Sequence, residues 1–261
     1  MRYVLALDTS TEVCATGLGR WPDDLSGIPV VLAVRDIMAP RAALGRLLPT
    51  ARRLLSDMGV AVGDLDRVIV GRGPGSYTGV RIGMAAAKGL AHGAGIPLQG
   101  VSSLDAVAWR FAGGYEGLLG VVGDAMRGEV YAVLYECGPE GPRRLSEDAV
   151  LAPEESVANW SDLIGERAIL LTGDGLAKHA DVFSVALGER MRSVLEDEWR
   201  PGGAGLLAAA WADRHEETAH HAGEVLPVYT NLSDAEARER ARGANVPRTG
   251  VAGPPLTEGE S

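Results

Sequence analysis

Two short stretches hold the side chains best suited to anion or phosphoryl chemistry. Asp8-Thr9-Ser10-Thr11 sets one carboxylate and three hydroxyls in a turn. Such a turn can hold a phosphate and its metal or, more simply, hydrogen-bond its own backbone. Gly73-Pro74-Gly75-Ser76-Tyr77-Thr78-Gly79 is a glycine-rich loop between an apolar run and a helical stretch, where backbone amides can face an anion at the helix's positive end. Asp8, Thr9, Ser10, Gly73, Gly75, Ser76 and Thr78 are therefore the candidate nucleotide or anion contacts. The plainer alternative is a tight turn in which Ser76 or Thr78 caps the helix. The loop lacks the Gly-Lys-Ser/Thr ending of a P-loop, and Lys88 comes too late to replace it. Its glycine spacing does not fit a dinucleotide fingerprint, and Ser76 lacks the Gly-x-Ser-x-Gly frame of a nucleophile elbow.

Other chemistry-bearing groups carry less. Asp124 and Glu129 flank a turn, either as an acid/base pair or as a charged hairpin tip. Gly173-Asp174-Gly175 opens a helical stretch and adds a second acid-and-glycine turn. His215 and His220 are one residue too far apart for the zincin pattern, so no metal site is expected. Cys14 and Cys137 form neither a disulfide framework nor a paired metal spacing.

The elements that must position these groups follow from hydrophobic periodicity. Residues 3–7, 13–19 and 30–37 read as an antiparallel meander of strands. Leu44, Leu47, Leu48, Ala51, Leu54, Leu55 and Met58 form one helical stripe, with Pro49 marking its start or a kink and Gly59 its stop. A strand at 67–71, a helix from about Thr78 to Ala94 and a strand at 97–101 follow. The second half repeats the order: helix 104–112, strands 118–123, 129–136 and 143–151, helix 154–160, strand 168–172, a helix to about Ala180, and a helix over 203–215. Val225 to Tyr229 is a last apolar piece. From Thr230 on, charge alternation and prolines predict a largely disordered tail. The helix after the glycine-rich loop is apolar nearly all round except for Arg81, Lys88 and His92, so it is either covered by its own domain or packs on another chain.

The chain has 261 residues, 25 Lys and Arg, 35 Asp and Glu and a formal net charge of −10, with 46% hydrophobic residues. That composition excludes a disordered chain and supplies a sizeable core. With Lys88 and Lys178 as the only lysines, it is a poor stand-alone nucleic-acid binder. The first apolar run is too short for a signal peptide and no run reaches membrane-spanning length, so a cytoplasmic protein is expected.

Four stretches together resemble one family: Leu7-Asp8-Thr9-Ser10; Gly73 through Tyr77 to Gly83, ending Val80-Arg81-Ile82-Gly83; Asp124-Ala125-Met126-Arg127-Gly128-Glu129-Val130-Tyr131; and Pro227-Val228-Tyr229. The chain resembles, over about residues 1–230, the bacterial TsaB (YeaZ-type) subunits of tRNA threonylcarbamoyladenosine biosynthesis. The resemblance implies an α/β, two-lobed actin-like or Hsp70-like ATPase architecture, each lobe a mixed sheet with flanking helices. Residues 1–102 plus about 203–229 would make the first lobe, 103–202 the second, and 230–261 the tail. It also implies a non-catalytic scaffold that binds a TsaD-type transferase, with a TsaE-type ATPase in the complex. Such an assembly supports threonylcarbamoyl transfer to the tRNA adenosine beside the anticodon. No catalytic residue and no intrinsic cofactor are implied; ATP and magnesium belong to the partner complex, and tRNA is met only through it. First-lobe helices would pair with the partner's through Leu44, Leu48, Ile82, Ala85, Ala86 and Leu90, and the same helices allow a homodimer in isolation. The missing histidine pair over 41–47 agrees with a non-catalytic paralogue. The competing expectation is a self-sufficient ATP-dependent phosphotransferase or hydrolase using Asp8, the glycine-rich loop and Gly173-Asp174-Gly175.

Overall fold

The apolar run after Arg2 forms β1 (Arg2–Asp8), whose Val4, Leu5, Ala6 and Leu7 are all fully buried. A strand without alternation of this kind is covered on both faces. It belongs to a computed structural model that describes residues 2–23, 29–214, 219–220 and 223–228. β1 pairs antiparallel with β2 (Val13–Trp21), and β2 with β3 (Val30–Val34). The expected strand over 30–37 breaks after Val34, and β4 (Ile37–Met38) pairs with Val13 and Cys14 instead. Asp36 sits at the break. Its carboxylate accepts hydrogen bonds from the amides of Thr16 at 3.1 Å and Gly203 at 3.1 Å.

Helix α1 (Ala43–Asp57) starts before Pro49 and carries it inside, burying Leu47, Thr50, Ala51, Leu54 and Leu55. It stops at Gly59, whose φ of +66° suits the left-handed residue after a helix. β5 (Leu65–Gly71), α2 (Tyr77–Ala94) and β6 (Leu98–Val101) follow as a parallel crossover unit beside β1. The expected helix 104–112 is shorter: α3 (Ser103–Ala108) runs into a single 3-10 turn, Trp109–Phe111.

The second sheet begins with β7 (Gly117–Asp124) and β8 (Val130–Gly138), an antiparallel pair. The expected strand 143–151 is two pieces, β9 (Gly141–Arg144) and β10 (Ala149–Leu151), both paired with β8. Between them Ser146 Oγ accepts the Leu134 amide at 2.9 Å, so a side chain replaces the strand ladder there. α4 (Pro153–Ile164), β11 (Ile169–Thr172) and α5 (Leu176–Leu187) complete the pattern. Both helices run further than expected, because Ile164 and then Phe183 and Leu187 extend the buried stripe. Two short strands were not anticipated, β12 (Met191–Ser193) and, after α6 (Gly203–Ala212), β13 (Ala219–His220).

Strand order in the first sheet is β13-β6-β5-β1-β2-β3, and in the second β10-β8-β7-β11-β12. Each therefore joins a three-strand antiparallel meander to two further parallel strands. α1 and α2 cover one face of the first sheet around Leu5, Leu7, Val68 and Val70. α6 covers the other with Leu206, Leu207, Ala209 and Ala210 against Val4, Ala6 and Ile69. α4 and α5 cover one face of the second sheet through Trp160, Ile164, Phe183 and Leu187. α3 belongs to both halves, with Ala106 in the α6 cluster and Leu104, Val107 and Ala108 against Val121, Val133 and Tyr135. The charged tail, His215 and Tyr229 lie outside the described residues.

Candidate functional site

The β1 turn and the glycine-rich loop meet directly. Ser76 N donates to the Ser10 carbonyl at 2.7 Å, and Thr9 Oγ1 donates to the Gly79 carbonyl at 2.7 Å. Gly75 and Gly79 permit this approach: a Cβ on Gly79 would lie 2.0 Å from the Thr9 carbonyl oxygen, and one on Gly75 2.4 Å from that of Ser10. Ser76 caps α2, its Oγ accepting the Gly79 amide at 3.3 Å. Asp8, Thr9 and Ser10 are buried. The Asp8 carboxylate accepts the Ser10 amide and the Ser103 hydroxyl, each at 2.5 Å. Burial pushes the Asp8 carboxyl above its ordinary value, and these hydrogen bonds pull partly the other way. Gly73 N is taken by Ser103 Oγ at 3.1 Å. The structure thus brings the candidate anion contacts together. However, the amides of Gly73, Ser76 and Gly79 are spent inside the protein, and a buried carboxylate sits among them. As they stand, these residues do not fit a phosphate cradle. Ser10 Oγ is buried and has no hydrogen-bond partner among the described residues.

The second acid cluster is a supported hairpin tip. Asp124 binds the Lys178 ammonium, accepts the Met126 amide at 3.0 Å, and its own amide donates to Asp174 at 2.9 Å. Burial raises the Asp174 carboxyl, and the nearby Asp124 charge adds to that. Met126 and Arg127 both take positive φ, +64° and +56°, at the β7–β8 turn. Strained backbone of this sort persists where its surroundings fix it.

An apolar groove lies elsewhere, on the outer side of α1 and α2. Leu44, Leu47, Leu48, Tyr77, Thr78, Arg81, Ile82, Ala85 and Ala86 line a groove of about 510 Å³. Leu44 is 80% exposed and Leu48 45%. α2 is therefore not covered all round: Val80, Met84, Ala87 and Ala91 face the core, while Thr78, Arg81, Ala85, Gly89 and His92 face out. Five of the six expected docking residues line this groove. Leu90 does not; it packs against the core beneath α1 and α2. Gly45 and Gly89 have nothing within 4 Å of a would-be Cβ. A helical glycine in open space costs about 0.5–1 kcal/mol relative to alanine, and nothing among the described residues accounts for it. Sequence reasoning passed over Tyr77 and Arg81 as groove residues, although both sit on the stripe of Thr78 and Ile82. It also missed Asp36, whose role depends on an amide 167 residues away.

Two sheets that share a core order, each a three-strand meander extended by two parallel strands and flanked by helices, with β13 added antiparallel at the edge of the first, define the actin-like ATPase class of α/β fold. A family model described as TsaD: tRNA N6-adenosine threonylcarbamoyltransferase matches residues 37–182. The tRNA threonylcarbamoyladenosine biosynthesis protein TsaB of Bacillus subtilis is 34% identical over 241 residues, 90% of this chain and 96% of the relative. The Escherichia coli protein of the same name is 38% identical over 174 residues, 65% of this chain and 71% of its own length. Among solved structures, YeaZ from Pseudomonas aeruginosa superposes with a TM-score of 0.71 at 30% identity, covering 88% of this chain and all of that one. The chain belongs to the TsaB (YeaZ-type) family.

Proposed function

We propose that this chain is the non-catalytic scaffold subunit of a tRNA threonylcarbamoyladenosine assembly. It binds the TsaD-type transferase through the α1/α2 groove and supports threonylcarbamoyl transfer to the adenosine beside the anticodon. The observation that carries this reading is the coincidence of an exposed apolar groove with exposed small residues on the two helices. Apolar patches of that kind, rimmed by polar side chains, mark protein interfaces. Around Asp8, by contrast, the polar groups are turned on one another, which supports a role without its own phosphate chemistry. ATP, magnesium and a TsaE-type ATPase then enter with the partner, in the cytoplasm. Depleting the protein and measuring tRNA nucleosides by mass spectrometry tests the assignment: threonylcarbamoyladenosine should fall, and unchanged levels would defeat it. Turnover of ATP by the isolated chain, abolished by Asp8→Asn, would favour the phosphotransferase reading instead.

A further inference from the structure

The corner where β1 begins gathers cations out of proportion to its acids. Arg2 stands opposite Trp21, and Val4 opposite Arg67. Residues two apart on a strand share a face. Arg2, Trp21 and Arg67 therefore lie with Val4 on the α6 side of the sheet, away from α1 and α2. Asp8 is at the other end of the seven-residue β1, about 20 Å along the strand. The Arg67 guanidinium carbon lies 5.3 Å from the centre of the Trp21 ring, and its Nη1 donates to Gln99 Oε1 at 2.7 Å. Gln99 is fully buried and donates in turn to the Ala210 carbonyl at 2.9 Å. Trp211 meets Trp21 edge-on at 5.2 Å, and the Arg214 guanidinium covers Trp211 at 4.3 Å. Among the described residues Arg67 meets no carboxylate. Asp66 is turned to the Tyr3 amide at 3.0 Å, and Asp23 pairs loosely with Arg2 at 3.8 Å, where both are exposed. Burial, and after it the Arg2 charge, pull the Arg67 guanidinium below its ordinary value. Trp21 Nε1 is buried as well and has no acceptor among the described residues.

We propose that this corner binds the phosphate group of a small molecule, held by Arg67 and Arg2 with the unmet indole N–H of Trp21 beside them. A guanidinium stays charged across the physiological range, and a half-buried charge without a partner is costly. An arginine fork meets phosphate oxygens two at a time. The Trp21 ring and Gln99 already hold the Arg67 fork in place, so little order is lost when an anion arrives. The loose Asp23 pair is the contact that the anion replaces at Arg2. A small ligand is favoured over a nucleic acid, because the chain carries −10 overall with only two lysines and a polyanion needs a run of cations across its contact. The site rests on neither the docking groove nor the Asp8 turn, so its failure would leave the scaffold reading as it stands.

Titration and calorimetric melting of the full-length chain with inorganic phosphate test this, with sodium chloride at equal ionic strength as the reference. Phosphate should bind with a Kd of about 1 mM or tighter. At about 10 mM it should raise the melting temperature by about 3 °C or more. Arg67→Met keeps an apolar stem over Trp21 and should weaken phosphate about tenfold or more, removing the shift. Arg2→Gln, at an exposed position, should weaken it by a similar factor while melting as wild type does in chloride. Arg67→Lys keeps the charge without the fork and should bind between wild type and Arg67→Met. Equal melting of the wild type in phosphate and chloride would overturn the proposal. A phosphate response that Arg67→Met and Arg2→Gln both keep would place the anion elsewhere and overturn it too. So would acetate acting as strongly as phosphate, which would make the ligand a carboxylate. Binding of unmodified tRNA to the isolated chain, lost in Arg67→Met, would make the corner an RNA surface and overturn the small-molecule assignment.

Discussion

Adding one methyl group to α2 should have opposite effects at two glycines ten residues apart. At Gly79 a Cβ would lie 2.0 Å from the Thr9 carbonyl oxygen, a contact between two pieces of backbone. Gly79→Ala must push the helix start away from the β1 turn. It would lose the Thr9-to-Gly79 hydrogen bond of 2.7 Å and the Ser76 cap. The bond contributes about 1 kcal/mol, the cap about 1 kcal/mol and the overpacking about 1–3 kcal/mol. The expected loss is about 3–5 kcal/mol, or on the order of 10 °C in melting temperature for a protein of this size. At Gly89 the same methyl meets open space. Gly89→Ala should stabilise the isolated protein by about 0.5–1 kcal/mol, through the better helix propensity of alanine. That raises its melting temperature by about 1–4 °C. Gly89 lies one turn beyond Ala85 on the groove side of α2, so the methyl should also hold the partner helix off. At an overpacking cost of about 1–3 kcal/mol, affinity for the transferase falls about 5- to 150-fold. Calorimetric melting gives the first quantity and titration with the transferase the second. A Gly89→Ala protein that melts higher and binds with wild-type affinity would refute the argument that open-space glycines on this face exist for the partner.

Three other outcomes follow from the same geometry. Ala85→Glu places a charge on the groove wall and should abolish co-purification with the transferase, since an unpaired buried charge costs several kcal/mol; the unbound variant should keep its melting temperature. Burial raises the Asp8 carboxyl, so its contribution to stability is full below the ordinary carboxylate range of about 4 and is lost as pH rises through the raised value. Urea unfolding should therefore show Asp8→Asn gaining on wild type between about pH 4 and pH 7, and a constant difference would mean that Asp8 ionises freely in the fold. Arg144 binds Asp105 at 2.7 Å and Asp148 at 2.9 Å, while the Tyr135 hydroxyl also donates to Asp105 at 2.7 Å. Arg144→Met should cost about 3–6 kcal/mol, at about 1.5–3 kcal/mol for each of the two charged hydrogen bonds lost. A change under about 1 kcal/mol in equilibrium unfolding would contradict that.

The fold was legible where periodicity alone decides the element. The meander, the α1 stripe, the crossover at 65–101 and its repetition in the second half all follow from apolar spacing. The failures have local causes. Residues 30–37 read as one apolar strand, but Asp36, at the break, accepts a distant amide. Residues 143–151 broke where Ser146 replaced a ladder bond. β12 is three residues, Met-Arg-Ser, with no apolar run to announce it. The site was legible in its hydrophobic half, because exposed leucines and small residues at helical spacing mark a face. Its polar half was not. Whether Asp8 and the glycine-rich loop receive an anion or each other depends on a separation of about 70 residues in sequence, which spacing does not encode.

The Asp36–Gly203 contact also sets the order in which the protein can be completed on the ribosome. The second sheet draws its strands from one uninterrupted stretch, Gly117 to Ser193. The first sheet has one face left bare until α6 is made, because Leu206, Leu207 and Ala210 cover Val4, Ala6 and Ile69 from more than 130 residues downstream. The half that is synthesised first is therefore finished last. A nascent chain halted before Gly203 would carry a closed second half and a first half open to the solvent on its α6 side, with the carboxylate of Asp36 waiting for its amide.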